Sequence, residues 1–119
     1  MKILVVALGG ALGAALRYLL SDALSSLSGA IPLGTLLVNV LGGFLMGLII
    51  GMSPRWNLST EARLFLTTGL LGGLTTFSTF SNETVTLFSS GAFGSGLFNV
   101  ALNLLGALCA CWLGHCLAA

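Results

Sequence analysis

Gly69-Leu70-Leu71-Gly72-Gly73-Leu74-Thr75-Thr76-Phe77-Ser78-Thr79-Phe80-Ser81-Asn82-Glu83-Thr84 is an apolar run that changes character midway. Gly-Gly followed shortly by Thr-Thr has poor helix propensity. Serine and threonine hydroxyls also compete for backbone hydrogen bonds. The stretch therefore reads as a helix broken near residues 72–79. A break frees backbone C=O and N–H groups. Freed carbonyls suit a cation, and the N-terminus of the following half-helix favours an anion.

The surrounding chain sets the solvent in which that break must live. It has 119 residues, room for a single domain over 1–119, with 56% hydrophobic and 6% charged residues. Its mean hydropathy is +1.08. A soluble domain carries roughly 25% charged residues to wet its surface. Seven formal charges, four basic and three acidic, cannot do that, so lipid is the solvent for most of the exterior. In lipid, every freed backbone group must be met by protein, water or an ion. A water-soluble enzyme is excluded on these grounds. A net charge of +1 with no basic stripe excludes a nucleic-acid partner. There is no phosphate-binding glycine loop, no pair of carboxylates and no nucleophile–base pair on which enzymatic chemistry could rest.

Outward from the break, the charges punctuate four apolar runs, at about 3–20, 33–52, 63–88 and 97–117. Each is near the roughly 20 residues that a helix needs to cross a bilayer. Between them lie Ser21–Gly29, then a polar segment from Ser53 to Arg63, then Ser89–Gly96. Pro32 stands where a first helical turn accepts proline. The expected fold is all-α and multi-pass, with four transmembrane helices and the third one broken. The first run also has the outline of a signal peptide, with Lys2, an apolar centre and Ala-rich flanks. Arg17 and Tyr18 stand where a cleavage site needs small neutral residues, and the chain beyond stays too apolar for a secreted domain. It reads as a span.

Small residues recur four apart within the runs, at Gly9/Gly13, Gly10/Ala14, Gly43/Gly47 and Gly47/Gly51. In lipid such faces let helix backbones approach closely. Four thin spans bury few side chains, so self-association is expected. Orientation is almost balanced. With a cytoplasmic N-terminus, Lys2, Arg55 and Arg63 lie inside and Arg17 lies near the other face, a weak positive-inside bias.

Polar groups within spans are costly and mark candidate sites. Phe77 and Phe80, three apart, share one side of a helix. They are either packing rings or, interleaved with Thr76, Ser78 and Thr79, positive ring edges along an anion path. Asn39, deep in the second run, either ties helices together or donates its amide hydrogens to an anion. Arg17 either snorkels to the interface or collects anions at a vestibule. Glu83 would repel an anion, so it pairs with a cation or sits at a mouth. Asn99 and Asn103, four apart in the last run, read as interhelical glue before pore groups. Cys111 and His115 share a face, but Cys109 and Cys116 do not complete the four converging ligands of a zinc site. The three cysteines read as small apolar side chains, and the sequon Asn57-Leu58-Ser59 as chance.

These residues resemble the Fluc (CrcB-type) fluoride channels. The matching blocks are Gly9-Gly10-Ala11-Leu12-Gly13-Ala14 with Arg17-Tyr18, Gly34-Thr35-Leu36-Leu37-Val38-Asn39 with Gly42-Gly43-Phe44, and Gly69 to Phe80 followed by Ser81 and Glu83. They occur in order over the whole chain. The third block is specific; the fourth run matches only in general character. The resemblance implies a fluoride-selective channel that passively exports fluoride from the cytoplasm across the cell inner membrane and relieves its toxicity. It implies a dual-topology homodimer of antiparallel four-span subunits, with two pores built from both. On it, Asn39, Phe77 and Phe80 line the fluoride path, with hydroxyls from Ser78 or Thr79. The carbonyls of Gly72 and Thr75 from both subunits hold a central structural sodium ion. Arg17 lies near the vestibule where fluoride arrives, and Glu83 near a pore mouth.

Two other readings fit the length. A four-span proton-coupled multidrug exporter needs a membrane-embedded carboxylate in its first span, and Ile3 to Leu20 has none. A purely structural subunit leaves Asn39 and the threonine cluster without a task.

Overall fold

A computed structural model describes residues 1–119. The chain is all-helical: α1 (Lys2–Leu24), α2 (Leu33–Trp56), α3 (Thr60–Leu64), a π-helical stretch Phe65–Leu71, α4 (Gly72–Leu74), α5 (Phe77–Ser89) and α6 (Phe93–Ala118). A short 3-10 turn, Ser25–Leu27, follows α1. The molecule measures 49 × 30 × 20 Å. Its length matches a bilayer with its headgroups, about 40–45 Å, and its least dimension is close to two helix diameters. Three helical segments are long and apolar enough to cross a membrane: Lys2–Leu27, Leu33–Trp56 and Phe93–Ala118. This is a multi-pass membrane protein.

The helices outrun the apolar runs that foretell them. α1 continues to Leu24, α2 to Trp56 with Pro54 in its last turn, and α6 begins at Phe93. Hydropathy marks where hydrocarbon ends, whereas backbone hydrogen bonding carries on into the headgroup layer. Pro32 lies at the N-cap of α2, one residue before the first helical position, and the Leu33 N–H donates to Ser28 Oγ at 3.0 Å. α2 stops at Asn57, whose φ of 44° is left-handed, a conformation that asparagine tolerates better than most residues. Ser59 then caps α3, accepting from the Ala62 N–H at 3.1 Å.

Residues of the third apolar run are divided among α3, the π-helical stretch, α4 and α5, none of which alone reaches a membrane's width. α4 ends at Leu74. Thr75 (φ −79°, ψ 156°) and Thr76 (φ −152°, ψ 122°) are extended, and α5 begins at Phe77. The Thr76 hydroxyl caps α5 by accepting from the Thr79 N–H at 3.2 Å.

Glycines set the packing. α1 lies against the π-helical stretch and α4 through Gly9, Gly13, Gly69 and Gly73, where any added Cβ meets the opposing backbone. α2 lies against α6 through Gly43, Gly47, Gly51 and Gly114 in the same way. The small-residue faces thus pair within the chain, by van der Waals approach. The core is small: Val38, Leu71 and Leu74, packed by Leu20, Leu45, Met46 and Ile49. Only 19 of 119 residues are buried, and many large apolar side chains, among them Ile3, Tyr18, Leu105 and Trp112, are exposed, as a lipid-facing exterior requires.

Candidate functional site

The extended Thr75–Thr76 link sits beside α2 and α6, and a groove of about 390 Å³ opens there. Its wall brings together Asn39, Thr75, Thr76, Phe77, Phe80 and Asn103, with small and apolar residues of α2 and α6 completing it. Three residues singled out from sequence, Asn39, Phe77 and Phe80, therefore share one surface. Phe77 and Phe80 meet edge to face, with ring centroids 5.3 Å apart and planes at 61°. Phe80 is buried at 5% exposure, whereas Phe77 is 70% exposed at the rim. One ring is fixed by the fold and the other is open to whatever lies alongside.

Ser78 and Thr79 do not line the groove. Each residue along a helix turns by about 100°, so the two positions after Phe77 leave its face, and Phe80 returns to it. Their hydroxyls instead gather around Thr76, whose Oγ1 is 3.3 Å from Ser78 Oγ and donates to Thr79 Oγ1 at 3.2 Å.

Asn39 is fully engaged. Its Nδ2 donates to the Thr76 carbonyl at 3.1 Å and to Asn103 Oδ1 at 2.9 Å. Its Oδ1 accepts from the Thr76 N–H at 2.8 Å. The contact continues along α6. Asn103 Nδ2 donates to the Asn99 carbonyl at 3.0 Å and to Asn99 Oδ1 at 3.1 Å. Asn99 Nδ2 donates to Thr84 Oγ1 at 3.0 Å, and that hydroxyl donates to the Phe80 carbonyl at 2.8 Å. Asn99 and Asn103 are buried. They join α2, α5 and α6, which is the work of interhelical glue, while Asn103 also reaches the groove. The sequence signal for this chain was their spacing of four.

Both charged candidates are held by uncharged partners. Arg17 Nε, from α1, donates to the Gly73 carbonyl at 3.1 Å. Thr35 Oγ1 donates to Glu83 Oε1, and the other oxygen, Oε2, is buried without a partner. Thr35 was not a sequence candidate. It lies one helical turn from Asn39, so the two present polar groups on one side of α2.

Gly72 and Thr75 share one property. A continuing helix would give the Thr76 N–H to the Gly72 carbonyl and the Thr79 N–H to the Thr75 carbonyl. Here those donors go to Asn39 Oδ1 and Thr76 Oγ1. Both carbonyls lose their helical donors, which makes them suitable oxygens for a hard cation. The cysteines are free thiols, with Cys109 and Cys116 exposed and Cys111 half-buried.

Residues 4–115 match the family described as CrcB-like protein, Camphor Resistance (CrcB). Among curated proteins, the fluoride-specific ion channel FluC of Shewanella sediminis is 53% identical over 115 residues, covering 96% of this chain and 93% of the relative. Those of Shewanella woodyi and Shewanella pealeana are 50% and 47% identical over the same shares.

Proposed function

Because the chain belongs to the CrcB-like protein family, we propose that it is a fluoride-selective channel, passively exporting fluoride from the cytoplasm across the cell inner membrane and so relieving fluoride toxicity. The observation that carries the reading beyond its relatives' name is the groove beside Thr75–Thr76, where the Phe77 and Phe80 rings meet polar groups inside an apolar bundle. Fluoride is small and tightly hydrated. A path for it must replace water with weak donors, strong enough to admit the ion and weak enough to release it. Phenylalanine edges carry partial positive charge without a fixed one. Ser78 and Thr79 stand off the groove with their hydroxyls gathered on Thr76, so they border the path only through Thr76, at the start of α5 where the helix dipole favours an anion. Asn39 borders the same path, Arg17 stands toward the vestibule, and Glu83 toward a mouth.

In this reading the segments from α3 to α5 form the third of four spans, over about 63–88, interrupted at Thr75–Thr76. A second copy in the opposite orientation completes the pores. Three features support that arrangement: the groove is open along one side, Phe77 is exposed at its rim, and the charge bias across the membrane is weak. The carbonyls of Gly72 and Thr75 from the two subunits hold a structural sodium ion, which would neutralise backbone oxygens that the break leaves in the membrane. Their lost helical donors, and the exposure of Gly72 in the single chain, fit that role.

Ion efflux from proteoliposomes tests the reading. Fluoride is expected to leave fast and far ahead of chloride; equal rates for the two anions would sink it.

A further inference from the structure

We propose that Asn39 is a positioning residue: it holds the Thr75–Thr76 link extended from within one subunit, so that the Gly72 and Thr75 carbonyls stand free before any ion arrives. The inference deepens the channel reading and rests on it for the ion that those carbonyls receive.

A carboxamide offers two N–H donors and one carbonyl oxygen. In Asn39 both donors and the oxygen are committed. Two of the three bonds go to one residue, Thr76, and engage both its N–H and its C=O. This is the exchange that a residue of an adjacent antiparallel strand makes. Thr76 has the matching backbone, φ −152° and ψ 122°. A single side chain on α2 therefore acts as a strand partner for an extended residue that has no sheet around it.

The consequence reaches the neighbouring carbonyls. With its N–H held by Asn39, Thr76 cannot close the helical bond to Gly72. With Thr76 extended, its hydroxyl is placed to take the Thr79 N–H, which therefore does not reach Thr75. Between the two free carbonyls, that of Gly73 is taken by Arg17. The Leu74 carbonyl, whose helical donor would be the Ser78 N–H, has no hydrogen-bond partner either, so Arg17 occupies one of the four oxygens from Gly72 to Thr75 and the held link leaves the other three open to a ligand.

Asn39 is itself braced. Its second donor is fixed by Asn103, which is anchored on Asn99. The donor held by Asn103 can be released without touching Thr76, but to swing the whole amide toward a passing anion Asn39 would have to abandon Thr76. Two backbone groups would then lack partners inside the membrane, where unsatisfied groups are most costly. It borders the groove with its donors already occupied.

The test uses the full-length purified protein, wild type and Asn39→Ala, in sodium and in N-methylglucamine. Hydrogen exchange is read at the Thr76 amide, alongside the half-saturating sodium concentration for thermal protection and fluoride efflux from proteoliposomes. Wild-type Thr76 is expected to exchange slowly with and without sodium. Asn39→Ala is expected to speed that exchange at least about tenfold, to raise the half-saturating sodium concentration by a similar factor, and to lower efflux. Protection of wild-type Thr76 only in sodium would overturn the proposal, because the ion would then be shaping the link; this arm decides the matter even if Asn39→Ala does not fold. Lost efflux with unchanged Thr76 exchange and sodium response would also overturn it, returning Asn39 to a direct role on the anion. A wild type with neither fluoride efflux nor sodium response would defeat the channel reading, and Thr76 exchange in Asn39→Ala would still decide whether the amide holds the link.

Discussion

Gly9 in α1 and Gly69 in the π-helical stretch meet backbone to backbone: a Cβ placed on Gly69 would stand 2.9 Å from the Gly9 Cα and 2.9 Å from the Val6 carbonyl. No side chain separates the two elements there. α1 and the link-bearing segment are thereby fixed to each other, with Arg17 reaching Gly73 two helical turns further along α1.

Gly69→Val should therefore force α1 away from its seat. Overpacking of a close seam costs about 1–3 kcal/mol, and here the obstruction is backbone, which cannot rotate aside. A lower melting temperature of the purified protein is expected, with loss of efflux. Gly94→Ala is the control. A Cβ on Gly94 meets nothing within 4 Å, so that variant should melt like the wild type or slightly above it.

Asn103 stands midway between Asn39 and Asn99. Asn103→Ala removes the acceptor of one Asn39 donor and the donor to Asn99. Leaving buried polar groups unpaired costs about 1–3 kcal/mol. Asn99→Ala should have a similar effect by stranding Thr84 and Asn103. The double variant should lose less than the sum of the two, because one network is being broken twice. Strict additivity in a melting experiment would show that the two asparagines act separately.

Phe80→Ile keeps bulk and apolarity but removes the ring that faces Phe77. An aromatic pair is worth about 0.5–1.5 kcal/mol beyond its buried area, so assembly should survive. Fluoride efflux should fall several-fold, up to about tenfold if that energy is expressed in the passage of the ion. Normal efflux would make the ring a packing residue.

How much of this could be seen in the sequence varies from residue to residue. The extended pair Thr75–Thr76 was foreshadowed, because Gly72-Gly73 weakens the helix just where threonine hydroxyls compete for its bonds. The π-helical stretch Phe65–Leu71 was not. Its residues suit an ordinary helix, and the stretch is where α1 makes its closest glycine contact, a tertiary relation that propensity does not contain. Phe77 and Phe80 could be placed on one face from spacing alone. The occupancy of Asn39 could not, since its partners lie 37 and 64 residues away. Position in an apolar helix marks such an amide as costly without saying what satisfies it. Ser78 and Thr79 were drawn toward the path by composition, and the rotation of α5 turns them from the groove toward Thr76.

The last prediction concerns sodium. If the Gly72 and Thr75 carbonyls of paired subunits hold the ion, binding favours the assembled state alone and must stabilise it by mass action. At a hundredfold excess over the dissociation constant the gain is about 2.7 kcal/mol. Replacing sodium with N-methylglucamine during purification should then lower the melting temperature, and restoring sodium should recover it in a saturable manner. Potassium, with the same charge but a larger radius, should protect less at equal concentration if the carbonyl cage is small. Chloride salts throughout keep the anion constant, so a general ionic-strength effect would act equally for all three cations. A melting curve indifferent to the cation would count against a central ion. The break would then have to be satisfied by protein alone, and Asn39 and Arg17 are the two side chains already seen to reach it.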